Sequence, residues 1–207
     1  MEQFLLKNAS AVFAVLGTLA GVVLTFISTS ILQRLAVKNR LVEKILDRRI
    51  SAHENIIEIS KSLRTMMSLG YDDSEGQLAR TPSIMASRES FEEFHYLFNQ
   101  KVAGSSTWLS TEVTREVNFI QDYLVNLYEL VRFVNTEKFP EIGMLIRQDF
   151  IDFSTKLEQL SFIFFSSELM KLKLNDLSKW HKYPLVVTEK RLAETQLSKK
   201  LEEIKKM

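Results

Sequence analysis

Cysteine is absent from this chain, and proline and glycine are scarce, at 3 and 6 residues. Without cysteine there is no disulfide framework, no thiolate nucleophile and no zinc–thiolate centre. Few helix breakers over such a length favour long helices over many short strands. Charge of one sign is lacking too: 27 basic residues stand against 26 acidic ones. That balance argues against a nucleic-acid partner, which calls for a basic excess on one face. Only three histidines occur, and they lie far apart. No Gly-rich phosphate loop, His-Glu-x-x-His or Gly-x-Ser-x-Gly is present. What remains is a chain that is 45% hydrophobic with 14 Phe, enough to bury a core and unlike a disordered one.

The longest uncharged stretch runs from Asn8 to Gln33. A helix needs about 20 mostly apolar residues to cross a hydrocarbon core of ~30 Å. This stretch suffices, with some tilt. A cleaved signal peptide is the alternative, but that class carries a basic leader and a shorter apolar core. The first seven residues hold one Glu and one Lys. Basic residues crowd the far side of the span: Arg34, Lys38, Arg40 and Lys44, then Arg48 and Arg49. The positive-inside rule therefore predicts a cytoplasmic body, a short outer N-terminus and insertion in the cell (inner) membrane. The same basic run suits anionic lipid.

Within the span lies Gly17-Thr-Leu-Ala-Gly21, followed at the same spacing by Thr25 and Thr29. Small residues at every fourth position let two helix backbones approach closely. Gly17, Gly21 and Thr25 are the expected self-association stripe. The competing reading is that small residues are common in membrane helices anyway.

Beyond the span, Val42, Ile45, Ala52, Ile56, Ile59, Leu63 and Met66 fall on the a and d positions of a heptad, with Arg49 at one a position. An intermolecular coiled coil and the first helix of a bundle within the chain share this pattern. Leu46, His53 and Met67 widen the stripe, which favours the bundle. Gly70 is expected to end this helix, with a loop over about 70–88. Ser90 is the expected cap of the next helix, whose apolar face is Phe91, Phe94, Phe98 and Val102. Gly104-Ser105-Ser106 is a predicted break. Val113, Val117, Ile120, Leu124, Leu127, Val131 and Val134 mark a longer amphipathic helix from Ser110. Pro140 opens another, burying Ile142, Ile146, Phe150, Phe153, Leu157, Leu160 and Phe164. The run Ser161–Phe165 reads as apolar on most sides and central in the bundle. After Trp180-His-Lys-Tyr-Pro184, the charged tail reads as an exposed or frayed amphipathic helix with a sparse apolar edge.

The predicted architecture is all-α. Residues 1–8 form an outer tail, 9–33 the span, 34–184 a cytoplasmic bundle of long antiparallel helices, and 185–207 a charged helix. One Glu-x-x-His, Glu92 to His95, is the sole hint of a metal site; di-iron bundles use two such pairs. It is set aside, so no metal, cofactor or catalytic residue is expected.

The stretches Glu43-Lys-Ile-Leu-Asp-Arg-Arg-Ile-Ser-Ala-His-Glu-Asn, Phe91-Glu-Glu-Phe-His-Tyr-Leu-Phe-Asn and Trp108-Leu-Ser-Thr-Glu-Val follow the span in that order. Over residues 1 to about 135 the chain resembles a loose group of uncharacterised bacterial membrane-anchored helical proteins. The resemblance implies a bacterial or phage-related source and supplies no active-site residues. The functional expectation is a non-enzymatic interaction, scaffold or sensor module at the membrane. The alternative is a membrane-active effector (a toxin, holin-like or abortive-infection protein) that oligomerises its span.

Overall fold

The computed structural model describes residues 9–72, 76–169 and 182–207. They are mostly helical: α1 (Ala9–Arg64), α2 (Arg88–Ser105), α3 (Thr111–Val131), α4 (Phe139–Ile163), α5 (Leu185–Glu194), and two single-turn helices, α6 (Gln196–Lys199) and α7 (Leu201–Ile204). One antiparallel hairpin joins β1 (Met66–Asp72) to β2 (Leu78–Pro82). The chain divides into two units, Met1–Ile45 and Leu46–Met207, with the boundary inside α1.

In the first unit the large apolar side chains of α1 from Phe13 to Leu41 are exposed, and only Val42 and Ile45 near its end are half-buried. Phe13, Leu24 and Phe26 are 73%, 65% and 72% exposed, and Leu19, Val22, Ile31 and Leu35 are exposed as well. This is the one helix, among the described residues, long and apolar enough to cross a membrane.

In the second unit the heptad stripe turns inward. Ala52, Ile56, Ile59 and Leu63 are buried within the chain, together with His53. Fully burying such an aliphatic side chain stabilises by about 1.5–3 kcal/mol. The stripe does not run to Met66 and Met67, and Gly70 does not end the helix. α1 stops at Arg64, where Lys61 and Arg64 complement the negative end of the helix dipole. The Thr65 hydroxyl donates to the freed carbonyl of Lys61 at 2.8 Å.

The expected loop over 70–88 is a correction: the hairpin occupies most of it. Its base closes where Ser83 N–H donates to Thr65 O at 2.8 Å. The register slips between Ser68 and Asp72, where Gly70 adopts φ 78°. A left-handed residue in such a bulge favours glycine. β2 alternates as a half-buried strand should, with Ala79 and Thr81 inward and Leu78 and Arg80 outward. It lies on α4 at Gly143. A Cβ there would fall 2.1 Å from Thr81 Oγ1 and 2.6 Å from Met85 Cβ.

The three middle helices bury most of the predicted faces, with Val134 and Leu160 only half-buried. Phe91, Phe94, Phe98 and Val102 of α2 are inside, as are Val113, Val117, Ile120, Leu124, Leu127 and Val131 of α3. α4 buries Ile142, Ile146, Phe150, Phe153 and Leu157. Details of the ends differ from expectation. Ser87, not Ser90, caps α2, its hydroxyl accepting from Ser90 N–H at 3.2 Å. Gly104 and Ser105 are still helical. Arg88 reaches across to donate to the carbonyls of Arg132 and Val134, satisfying the end of α3. The run Ser161–Phe165 is not central: Phe162 and Ile163 are 61% and 52% exposed, and Phe164 alone of the four aromatic and aliphatic residues is fully buried. A π-helical turn over Phe164–Glu168 widens the spacing there.

The tail is also a correction. It is not one helix but three short ones. Leu197 and Ile204 are buried in the main core, and Thr195 breaks α5 from α6 with ψ 155°. Trp180 and His181 lie outside the described residues, as do residues 1–8.

Candidate functional site

The span stripe has simple geometry. Nothing lies within 4 Å of a Cβ built at Gly17 or Gly21, so both positions are open on the helix surface. The Thr25 hydroxyl donates to Gly21 O at 2.8 Å, and that of Thr18 to Ala14 O at 2.9 Å. These donors are used within the helix, which leaves the stripe small and smooth rather than polar. The basic residues Arg34, Lys38, Arg40 and Lys44 are all exposed.

Glu92 is exposed, whereas the His95 ring packs over Phe91 and Tyr128 with centroids 6.2 and 6.0 Å away. Its Nε2 lies 3.2 Å from Asn99 Nδ2, so the lone pair a metal would need already has a donor. Burial pushes its pKa below the ordinary value. Among the described residues no group of three or more His, Asp or Glu is placed to hold a metal ion.

His53 of α1 is fully buried. Its ring stacks on Phe164 at 3.5 Å between centroids and 4° between planes. Nε2 accepts the Ser110 N–H at 3.2 Å, and Nδ1 donates to Arg49 O at 2.7 Å. An acceptor role at Nε2 requires the neutral ring with its proton on Nδ1. Burial holds the pKa down at about 4, with the nearby Arg49 charge pushing the same way and the Arg49 carbonyl bond opposing. Arg49 is itself buried, its guanidinium 4.7 Å from the centre of the Phe164 ring. One imidazole thus joins α1, the start of α3 and the end of α4.

The second polar centre lies between α3, α4 and the tail. Glu116 is 0% exposed, yet it sits on the apolar face of α3 beside Val113 and Val117. Its Oε1 accepts from Arg191 Nη2 at 2.6 Å and its Oε2 from Nη1 at 3.0 Å. A planar guanidinium matched to a carboxylate in this two-point manner is the strong form of an ion pair. Oε2 also accepts from the Tyr183 hydroxyl at 3.1 Å. The Arg191 guanidinium carbon lies 3.8 Å from the centre of the Phe119 ring. Burial would lower the Arg191 pKa, but the Glu116 carboxylate outweighs it and raises the value. Burial and the Glu116 charge lift Tyr183 to about 12.

Asp149 repeats the arrangement on α4. Its Oδ1 accepts from Gln196 N–H at 2.7 Å and its Oδ2 from Leu197 N–H at 2.9 Å, which caps α6 from another helix. The Tyr123 hydroxyl donates to Oδ2 at 2.9 Å. Burial raises the Asp149 pKa against the lowering effect of those three donors. A cleft of about 270 Å³ opens beside both carboxylates, with Lys156, Arg191 and Thr195 on its walls.

Sequence reasoning missed both carboxylates. The available signal was an acidic residue inside an apolar stripe: Glu116 between Val113 and Val117, and Asp149 between Ile146 and Phe150. No protein-family model, curated protein or solved structure matches this chain.

Proposed function

We propose that the chain is a single-pass membrane protein whose helical body is a non-catalytic interaction module held on the cytoplasmic face of the cell (inner) membrane. The carrying observation is the continuous apolar surface of α1 from Phe13 to Leu35, exposed all round. A helix that is hydrophobic on every side calls for lipid or a protein interior. The run Arg34, Lys38, Arg40 and Lys44 supplies the orientation. Within the body the helices run antiparallel, a reading supported by pairs such as Phe119 with Phe153 and Tyr123 with Asp149.

The chemistry of the body fits an interaction role. Its buried ionisable groups hold elements together: His53 joins three helices, and Glu116 and Asp149 hold the tail. Self-association through Gly17, Gly21 and Thr25 accompanies this reading, because the glycines are open for a second backbone. The back-bonded hydroxyls of Thr18 and Thr25 favour packing over a water-lined pore. The test is alkaline extraction combined with protease protection of a C-terminal tag. The protein should stay with the membrane, and the tag should be cut only from the cytoplasmic side. Release into the soluble fraction, or cutting from outside, refutes the proposal.

A further inference from the structure

The tail is held in an unusual way for an element of a core. α5 buries none of its residues, and Leu185, Val186 and Val187 at its start face solvent. Leu197 and Ile204 are its only fully buried apolar side chains. Leu192 and Tyr183 pack half-buried against the core, and the polar hold is concentrated at two points. Glu116 grips Arg191 and Tyr183, and Asp149 caps the turn beginning at Gln196. Both grips come from the body, and both answering groups come from the tail. Lys182 adds an exposed contact to Asp122.

Breaking a buried ion pair is normally costly because it strands a charge away from water. Here the departing partner is also the cover. The cleft beside Glu116 and Asp149 already opens their surroundings toward solvent. If the tail lifts, both carboxylates rehydrate instead of being stranded. The uncovered surface would present Phe119 and Phe153 flanked by two carboxylates. Its chemistry matches a short amphipathic segment that carries an arginine beside an aromatic residue and a free helix start.

We propose that this face of α3 and α4 is a docking surface for an arginine-bearing amphipathic segment, and that residues 182–207 occupy it as a releasable strap. A partner segment of the same chemistry would compete with the strap. The inference concerns the body alone and does not rest on the membrane reading.

The test uses the full chain in detergent and two readouts. In hydrogen exchange followed by mass spectrometry, amides of 185–204 should exchange at least about tenfold faster than those of α3 and α4, and together as one unit. Glu116→Gln and Arg191→Ala should each speed the strap by a further factor of about ten, while Val113–Val131 and Ile142–Leu157 keep their wild-type rates. Arg191→Ala lies on the strap itself, so it leaves every side chain of α3 in place. In the second readout, a labelled peptide of residues 182–207 should bind the Arg191→Ala chain at least about tenfold more tightly than wild type. Exchange that is graded inward from Met207 and insensitive to both variants would show simple end fraying and overturn the proposal. So would a strap that exchanges at the rate of α3 and α4 in every variant. Failure of the peptide to bind the Arg191→Ala chain, with the strap already open by exchange, overturns the docking surface.

Discussion

Lowering the pH from 7 to 5 should destabilise the body through His53, and the size of the effect can be worked out. The ring titrates at about 4 in the folded chain against an ordinary value of 6.5. The depressed value means the folded state refuses a proton that the unfolded chain accepts. The contribution is therefore fully present above 6.5, shrinks as pH falls from 6.5, and is gone below about 4. One pKa unit corresponds to about 1.4 kcal/mol, so at pH 5 the loss is about 2 kcal/mol. The physical origin is burial, with the Phe164 ring keeping water away and the Arg49 charge pushing the same way, while the Ser110 N–H needs the Nε2 lone pair that a proton would take. The assay is urea unfolding of the body, followed by near-ultraviolet circular dichroism at pH 7 and pH 5. His53→Phe serves as the reference, since it cannot titrate and keeps a ring against Phe164. At pH 7 the variant should be less stable by about 1–3 kcal/mol, because the Ser110 donor loses its acceptor. At pH 5 the gap should narrow by about 2 kcal/mol. Carboxylates titrate in both proteins and cancel in the difference. A gap that stays constant across this range would refute the account of His53 as a buried neutral ring.

Three further outcomes follow from the packing. Gly143→Ala should cost about 1–3 kcal/mol, seen as a lower thermal midpoint, since its Cβ overlaps Met85 Cβ as well as Thr81 Oγ1. Trimming Thr81 to Ala should not restore it, and full rescue would disprove the second clash, with Met85. Asp149→Asn replaces an oxygen facing a backbone N–H with an amide donor, so it should destabilise by about 1–3 kcal/mol, read by urea unfolding at pH 7. A Cβ at Gly17 or Gly21 meets no neighbour, so with Gly17→Ile and Gly21→Ile together cross-linking in membranes should fall while the unfolding midpoint of the body stays put. Undiminished cross-linking would exclude the stripe as the contact.

The helix faces were legible in the sequence because a 3.6-residue period is a local property. Phe91, Phe94 and Phe98, or Ile142, Ile146 and Phe150, announce a buried side without knowledge of what covers it. The hairpin was not legible. Met66 and Met67 continue the heptad arithmetic of α1, Pro82 argues against a strand, and no Asn-Gly turn marks the connection. The strap was illegible for a different reason. Arg191 finds Glu116 75 residues away in sequence, and Gln196 finds Asp149 at a separation of 47. A carboxylate within an apolar stripe signals that some donor must come, but not which one. The exposure of Phe162 and Ile163 has the same cause: their run is apolar on most sides, and only packing decides which side is covered.

The separation between the last turns of α1 and their partners also sets an order of events during synthesis. Arg64 meets Glu158, a residue translated 94 positions later, and Ser60 meets the same carboxylate. At about 5–20 residues per second, a ribosome needs on the order of 5–20 s to bridge that gap. On the anchored reading, the apolar stretch has left the ribosome and can enter the bilayer well before α4 exists. The body then folds while tethered, with Ile56 and Leu63 waiting uncovered near the membrane. Pairing between neighbouring nascent chains along that stripe is the competing event in this interval, and a slower ribosome would lengthen it.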